Sequence, residues 1–172
     1  HDFSRLRVHD ASEWTLMMAG SETSTLLNES ATRIFSSLED REIREAQAGQ
    51  WPAARWQQVA EAGFPLAFVS EEAGGFGVKP SEAMTLLRTA GSYAVPLPLA
   101  ETMLANRLLT EAGFDAAEGA ATIAPVAGGK PFSLTKTGNG WRVTGRAGGV
   151  PWARSVDTIV LFAEENGKAF IV

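Results

Sequence analysis

The sequence predicts an α+β chain, with an all-α helical domain over residues 18–118 followed by an incomplete antiparallel β domain over residues 119–172. Three observations carry that prediction. As far as Ala112, apolar residues recur at helical spacing in segments punctuated by Pro and Gly. From Thr122 onward the runs shorten, and β-branched and aromatic residues dominate them. Between two of those runs stands Gly138-Asn139-Gly140, residues that tolerate the positive φ a tight hairpin needs.

The helices follow in order. Leu26, Leu27, Ala31, Ile34, Phe35 and Leu38 trace one face of a helix from Ser21 to Asp40. Trp51-Pro52 opens a second helix, since proline in the first turn lacks only a donor that the helix would not use. Its stripe is Trp56, Val59 and Ala60, and Gly63 closes it. Leu66–Val69 reads as a short extended run leading into a turn over Glu71–Gly77. Pro80-Ser81 starts a third helix carrying Ala83, Met84, Leu87 and Ala90. Pro96 and Pro98 restrict the linker to a fourth, which runs from Leu99 to Ala112 and is closed by Gly113.

The strands are Thr122–Ala124, Phe132–Thr135, Trp141–Thr144 and a buried Thr158–Ala163. Asn166-Gly167 then turns the chain into Ala169–Val172. The apolar ending Phe-Ile-Val predicts that this strand, and with it the β domain, continues past Val172. Residues 1–17 read as an added or loose arm, because Met17-Met18 followed by Ala19-Gly20 makes a natural translation start. The chain has no internal repeat and no low-complexity segment.

Composition excludes several classes of function. Hydrophobic residues make up 45% and charged residues 20%, so a packed core is attainable. The net charge of −5 is scattered, with no basic block or basic–aromatic face, which argues against nucleic acid. The absence of cysteine rules out disulfides, a thiol nucleophile and sulfur-ligated zinc, and fits a cytoplasmic location. No apolar run reaches the roughly 20 residues of a membrane span. The only histidines, His1 and His9, lie in the arm, so no metal site and no histidine base is expected in the fold.

Two clusters invite a chemical reading. Gly74-Gly75-Phe76-Gly77 could be a phosphate cradle, but that needs a strand before the glycines and a helix aimed at the phosphate, so an interhelical turn is favoured. The carboxylate pairs Glu71-Glu72 and Glu164-Glu165 read as solvated charges beside turns. Trp56 reads as core, and Trp152, in a Pro-containing loop, as a candidate contact for a planar ligand.

The segment WQQVAEAGFPLAFVSEEAGGFG, Trp56 to Gly77, resembles the acyl-CoA dehydrogenase family, with Ser70 where the family usually has proline. Ala94–Gly113 is similar to the fourth-helix region of one branch of that family. Gly145–Asp157, followed by Thr158–Ala163, is similar to its β-domain strand and loop beside the flavin. The resemblance covers nearly everything after Ser21. It implies a flavoenzyme built from a helical domain, a middle β domain and a C-terminal helical domain. The implied reaction, part of lipid catabolism, is α,β-desaturation of an acyl-CoA thioester with hydride transfer to FAD. The family's base belongs to the C-terminal domain, so no catalytic residue is assigned here, and this chain by itself is expected to be inactive.

By the same resemblance, the FAD contacts fall on Ile123, Pro125, Gly128, Gly129, Val150 and Pro151. Pro125 and Gly128 match the family's loop, but Ile123 and Gly129 stand where it has hydroxyls, and Gly149 and Pro151 replace an aromatic and a hydroxyl residue. Each lost neutral hydrogen bond costs on the order of 1 kcal/mol. Implied partners are an acyl-CoA substrate, a second copy or an unlike dehydrogenase subunit, and an electron-transfer acceptor. The degenerate flavin loop admits a second reading, a non-catalytic partner subunit. A third is an acyl-CoA binding module whose pocket is lined by Leu97, Leu99, Thr102 and Met103; ordinary helix packing is the competing account of those four residues.

Overall fold

A computed structural model describes residues 11–126, 132–138 and 140–172, with side chains from residue 22 onward. Five helices precede six strands: α1 (Ala11–Phe35), α2 (Asp40–Gln47), α3 (Ala53–Glu61), α4 (Pro80–Ser92), α5 (Leu99–Glu111), β1 (Ala121–Ile123), β2 (Phe132–Thr137), β3 (Gly140–Thr144), β4 (Thr158–Val160), β5 (Phe162–Glu165) and β6 (Lys168–Ile171). The α+β class and the helix-then-sheet order are those the sequence predicts.

The punctuation residues act as expected. Pro52 caps α3, Pro80 opens α4, and Gly63 and Gly113 adopt positive φ of 73° and 84° just past α3 and α5. The first helix differs. It begins at Ala11 and stops at Phe35, because the Glu42 carboxylate accepts the Glu39 N–H at 3.2 Å and starts the separate helix α2. Leu66–Val69 is not extended. Gly63 in the left-handed region and Pro65 with its fixed φ wind Phe64–Leu66 into a 3-10 turn, which buries Phe64, Ala67 and Val69.

The main core lies among α1, α3, α4, α5 and that turn, around Phe35, Val59, Phe64, Leu86 and Met103. Phe35 meets Phe64 edge-on at 5.9 Å. Leu26, Ala60 and Met84, expected on apolar stripes, are exposed; the inward positions are Leu27, Arg55 and Leu86. The buried Arg55 cross-links three elements. Its Nε and Nη2 donate to both Glu42 carboxylate oxygens at 3.2 and 2.7 Å, Nη1 donates to Ile34 O (2.7 Å) and Ser37 Oγ (2.9 Å), and Nη2 reaches Ser37 O at 3.2 Å. The ends of α1, α2 and α3 are thus tied at one guanidinium.

The sheets are mixed rather than purely antiparallel. β2 pairs antiparallel with β3 and β5 with β6, but β1–β4 and β2–β5 are parallel. The long excursion from Ala124 to Asp157 provides the crossover that parallel pairing requires. The expected single strand Thr158–Ala163 is two. It breaks at Leu161, which exchanges main-chain hydrogen bonds with Val172 at 2.9 and 3.0 Å, so β4 serves β1 and β5 serves the four-stranded sheet β3-β2-β5-β6. On that sheet Trp141 and Phe170, from opposite edge strands, meet at 6.4 Å over buried Leu134 and Ala163. The strands flanking Gly138 pair as a hairpin, while Asn139 lies outside the described residues.

The Gly-rich segment folds as the interhelical turn. Glu71–Ala73 form a 3-10 turn, Gly74 adopts φ +85°, and a Cβ on Gly75 would collide with the Val69 carbonyl. Gly75→Ala should therefore destabilise the fold by about 2 kcal/mol or more. Gly91→Ala, in α4 with open space around it, should stabilise by about 0.5 kcal/mol. Urea denaturation midpoints of the two variants should move in opposite directions.

Hydrogen bonding to Arg55 holds the Glu42 carboxyl below its ordinary value, outweighing the upward pull of burial. A depressed folded pKa stabilises fully above the unfolded value, about 4.3, and that stability is lost as pH falls through the folded value. Acid titration of stability should show this loss in the wild type and not in Glu42→Gln. Arg55→Met should cost about 2–3 kcal/mol at neutral pH, read from the urea midpoint.

Candidate functional site

Helix α5 and the edge of β1 meet where both sequence-predicted sites were expected. The four candidate substrate residues sit inside the protein. Leu97, Leu99 and Met103 belong to the main core, Met103 with no exposure at all. Thr102 is also fully buried, and its hydroxyl engages Pro98 O at 2.7 Å and both main-chain groups of Ala121. One turn on, Asn106 is buried too. It donates to Pro65 O at 3.1 Å and accepts the Ala117 N–H at 2.9 Å. The face of α5 that carries Leu99, Thr102, Met103 and Asn106 therefore packs inward, and what α5 shows to solvent is Leu104 and the ion pair Arg107–Glu111 at 2.8 Å.

Of the candidate cofactor residues, Ile123 is half-buried against the second core cluster of Ala105, Ala121 and Val160. Pro125 is exposed just past β1. Val150 is half-buried and Pro151 exposed in the loop that leads to β4. Gly128 and Gly129 lie outside the described residues. Ile123 and Val150 have no polar side-chain atom, and Pro125 and Pro151 lack even a backbone N–H. The Thr122 hydroxyl, one residue before Ile123, is fully buried and has no hydrogen-bond partner. These residues do not fit a flavin held by side-chain hydroxyls. Backbone is available nearby: Gly149 has φ +66°, and nothing lies within 4 Å of where a Cβ on Gly148 or Gly149 would stand. Trp152, in the same loop, is half-buried at φ +58°, an uncommon conformation for a large side chain.

A cleft of about 260 Å³ opens between the Gly-rich turn and the end of α5. Phe68, Val69, Ser70, Ala73, Arg107 and Glu111 line it, and no sequence-predicted site residue does. Glu72, beside it, is fully exposed, and its carboxyl is lowered by its own backbone N–H and then by the Ser70 hydroxyl. Among the described residues no cluster of His, Asp or Glu could hold a metal ion, and no helix is long and apolar enough to cross a membrane.

Sequence reasoning missed Arg55 and Asn106. Asn106 carried a readable signal, a polar residue four positions after Thr102 on an otherwise apolar helix face, where both need buried partners. Arg55 carried none beyond its place between Trp51 and Val59.

No curated protein matches the chain. Among solved structures, a variant of the Tcur3481–Tcur3483 steroid ACAD is similar at 23% identity and TM-score 0.75, over 88% of this chain and 47% of that one. A structure reported for the electron transferring flavoprotein of Acidaminococcus fermentans matches at 19% identity and TM-score 0.68, over 88% and 47%. The ChsE4–ChsE5 complex from Mycobacterium tuberculosis matches at 21% identity and TM-score 0.61, over 90% and 46%. The chain thus spans about half the length of these structures, and at such identities the likeness establishes the fold. Residues 21–123 match the family described as acyl-CoA dehydrogenase, N-terminal domain. Helix order, Gly-rich turn and sheet edge agree with that match: the chain belongs to the acyl-CoA dehydrogenase family.

Proposed function

We propose that this chain is the front of an acyl-CoA dehydrogenase-type subunit that binds an acyl-CoA thioester in an assembly with an unlike subunit, which holds the FAD. The observation that carries this reading is the chemistry of Ile123, Pro125, Val150 and Pro151, none of which offers a side-chain donor. Two of the similar structures bear paired names, which supports an assembly of unlike subunits, and the steroid substrate class of one makes a bulky acyl group the first to test. In this reading the chain's own share is positional. The outer side of α5, with Leu104, and the segment from Ile123 to Pro125 bound the ligand, while proton abstraction and electron acceptance reside elsewhere in the assembly, followed by transfer to an external acceptor.

A second reading, a flavoprotein in its own right, is favoured by the open backbone at Gly148 and Gly149, whose N–H groups suit a phosphate or flavin carbonyl. Expressing the full-length chain alone and with an unlike dehydrogenase subunit separates the two. The proposed function predicts no visible flavin absorbance for the chain alone. For the co-purified pair it predicts bound flavin and acyl-CoA-dependent dye reduction. Flavin and dye reduction with the chain alone would establish the second reading, failure to pair would overturn the proposed function, and failure to bind any acyl-CoA would overturn both.

A further inference from the structure

Strand β1 has three residues and, among the described residues, a strand partner on one side only. Ala120 O accepts the Asp157 N–H at 2.9 Å and the Thr158 N–H at 3.3 Å, and the Ala124 N–H donates to Val160 O at 2.8 Å. Even-numbered residues therefore direct their main-chain groups at β4, and by alternation Ala121 directs its own toward the edge that has no strand. Both of those groups end on one atom. The Ala121 N–H donates to Thr102 Oγ1 at 3.0 Å, and the one Thr102 hydroxyl proton is shared between Ala121 O at 2.9 Å and Pro98 O at 2.7 Å. A helix side chain thus takes the place of a neighbouring strand.

The register held in this way leaves one buried side-chain hydroxyl unpaired. A slip of one residue exchanges Thr122 and Ile123 between the two faces. In the observed register the Thr122 hydroxyl is buried without a partner, which is unfavourable, and a slip that carries Thr122 to the half-buried place of Ile123 would release it. So short a strand with a single neighbour resists slipping weakly. We propose that Thr102 is a positioning residue, the register pin of β1, which fixes Ile123 rather than Thr122 at the head of the loop through Pro125. Asn106 assists by clamping Ala117 on the approach to the strand. What that loop binds rests on the proposed function; the pin itself does not.

The test compares Thr102→Val, Thr102→Ser, Thr122→Val and the core control Val59→Ala in the full-length chain, by amide hydrogen exchange on peptides spanning 118–126 and 53–62. Thr102→Val should speed exchange at 118–126 at least tenfold more than at 53–62, and Thr102→Ser should restore protection. Even acceleration of both peptides, as expected for Val59→Ala, would overturn the pin, and so would no acceleration. Thr122→Val keeps the side-chain shape and removes the gain from slipping, so it should slow exchange at 118–126. No change there would overturn the competing register even if Thr102→Val fails to fold. Binding of acyl-CoA thioesters, a steroid-carboxylic acyl-CoA first and butyryl-CoA beside it, by the assembled pair is measured in parallel. A wild type that binds none sinks the proposed function while the exchange results still decide the pin.

Discussion

Everything downstream of the helices depends on α5 satisfying buried polar backbone on two sides at once. Leu99 and Met103 anchor this helix in the main core and Ala105 in the second cluster, so it is the one helix shared by both. Thr102 and Asn106 lie on the same inward side, and between them they take up the main-chain groups of Pro65, Ala117 and Ala121. An apolar residue at either position would leave a buried N–H or C=O unpaired, which typically costs about 1–3 kcal/mol. That penalty explains why two polar side chains sit where leucine or alanine would pack as well.

The helical front is held by a different device. Arg55 gathers the exposed ends of α1, α2 and α3 around a single planar cation, while Gly63 and Gly75 let the 3-10 turn and the Gly-rich turn close against each other. At Gly63 a Cβ would stand 2.7 Å from the Phe76 ring, so aromatic packing and glycine placement are one feature. The glycines that resemble a ligand cradle in sequence serve close approach of the chain to itself.

Much of this architecture was legible in the sequence, for stated physical reasons. Proline and glycine set the limits of α3, α4 and α5 because their backbone preferences act locally. The turn at Asn166-Gly167 was legible for the same reason, and both residues show positive φ. Helix α2 was not legible: among its eight residues only Ile43 is strongly apolar and none is buried, so no stripe announces it. The parallel pairings escaped because partner choice between distant strands is set by topology. At the candidate site, Leu97, Leu99 and Met103 read as pocket or, in the favoured account, as core, and a helix face cannot declare which until its neighbours are known. Ile123, Pro125 and Pro151 were legible as departures because their missing donors are a property of composition.

The split at Leu161 has a consequence for how the chain assembles. Closure of α1 on α4 spans 61 residues at the Asn28–Thr89 hydrogen bond, and β1 meets β4 across the β2–β3 excursion, so both parts of the chain carry long-range closures with a chain-entropy cost. A segment that changes sheets at one residue ties the two pairings together, so the β1–β4 and β5–β6 contacts are expected to form and melt as one unit.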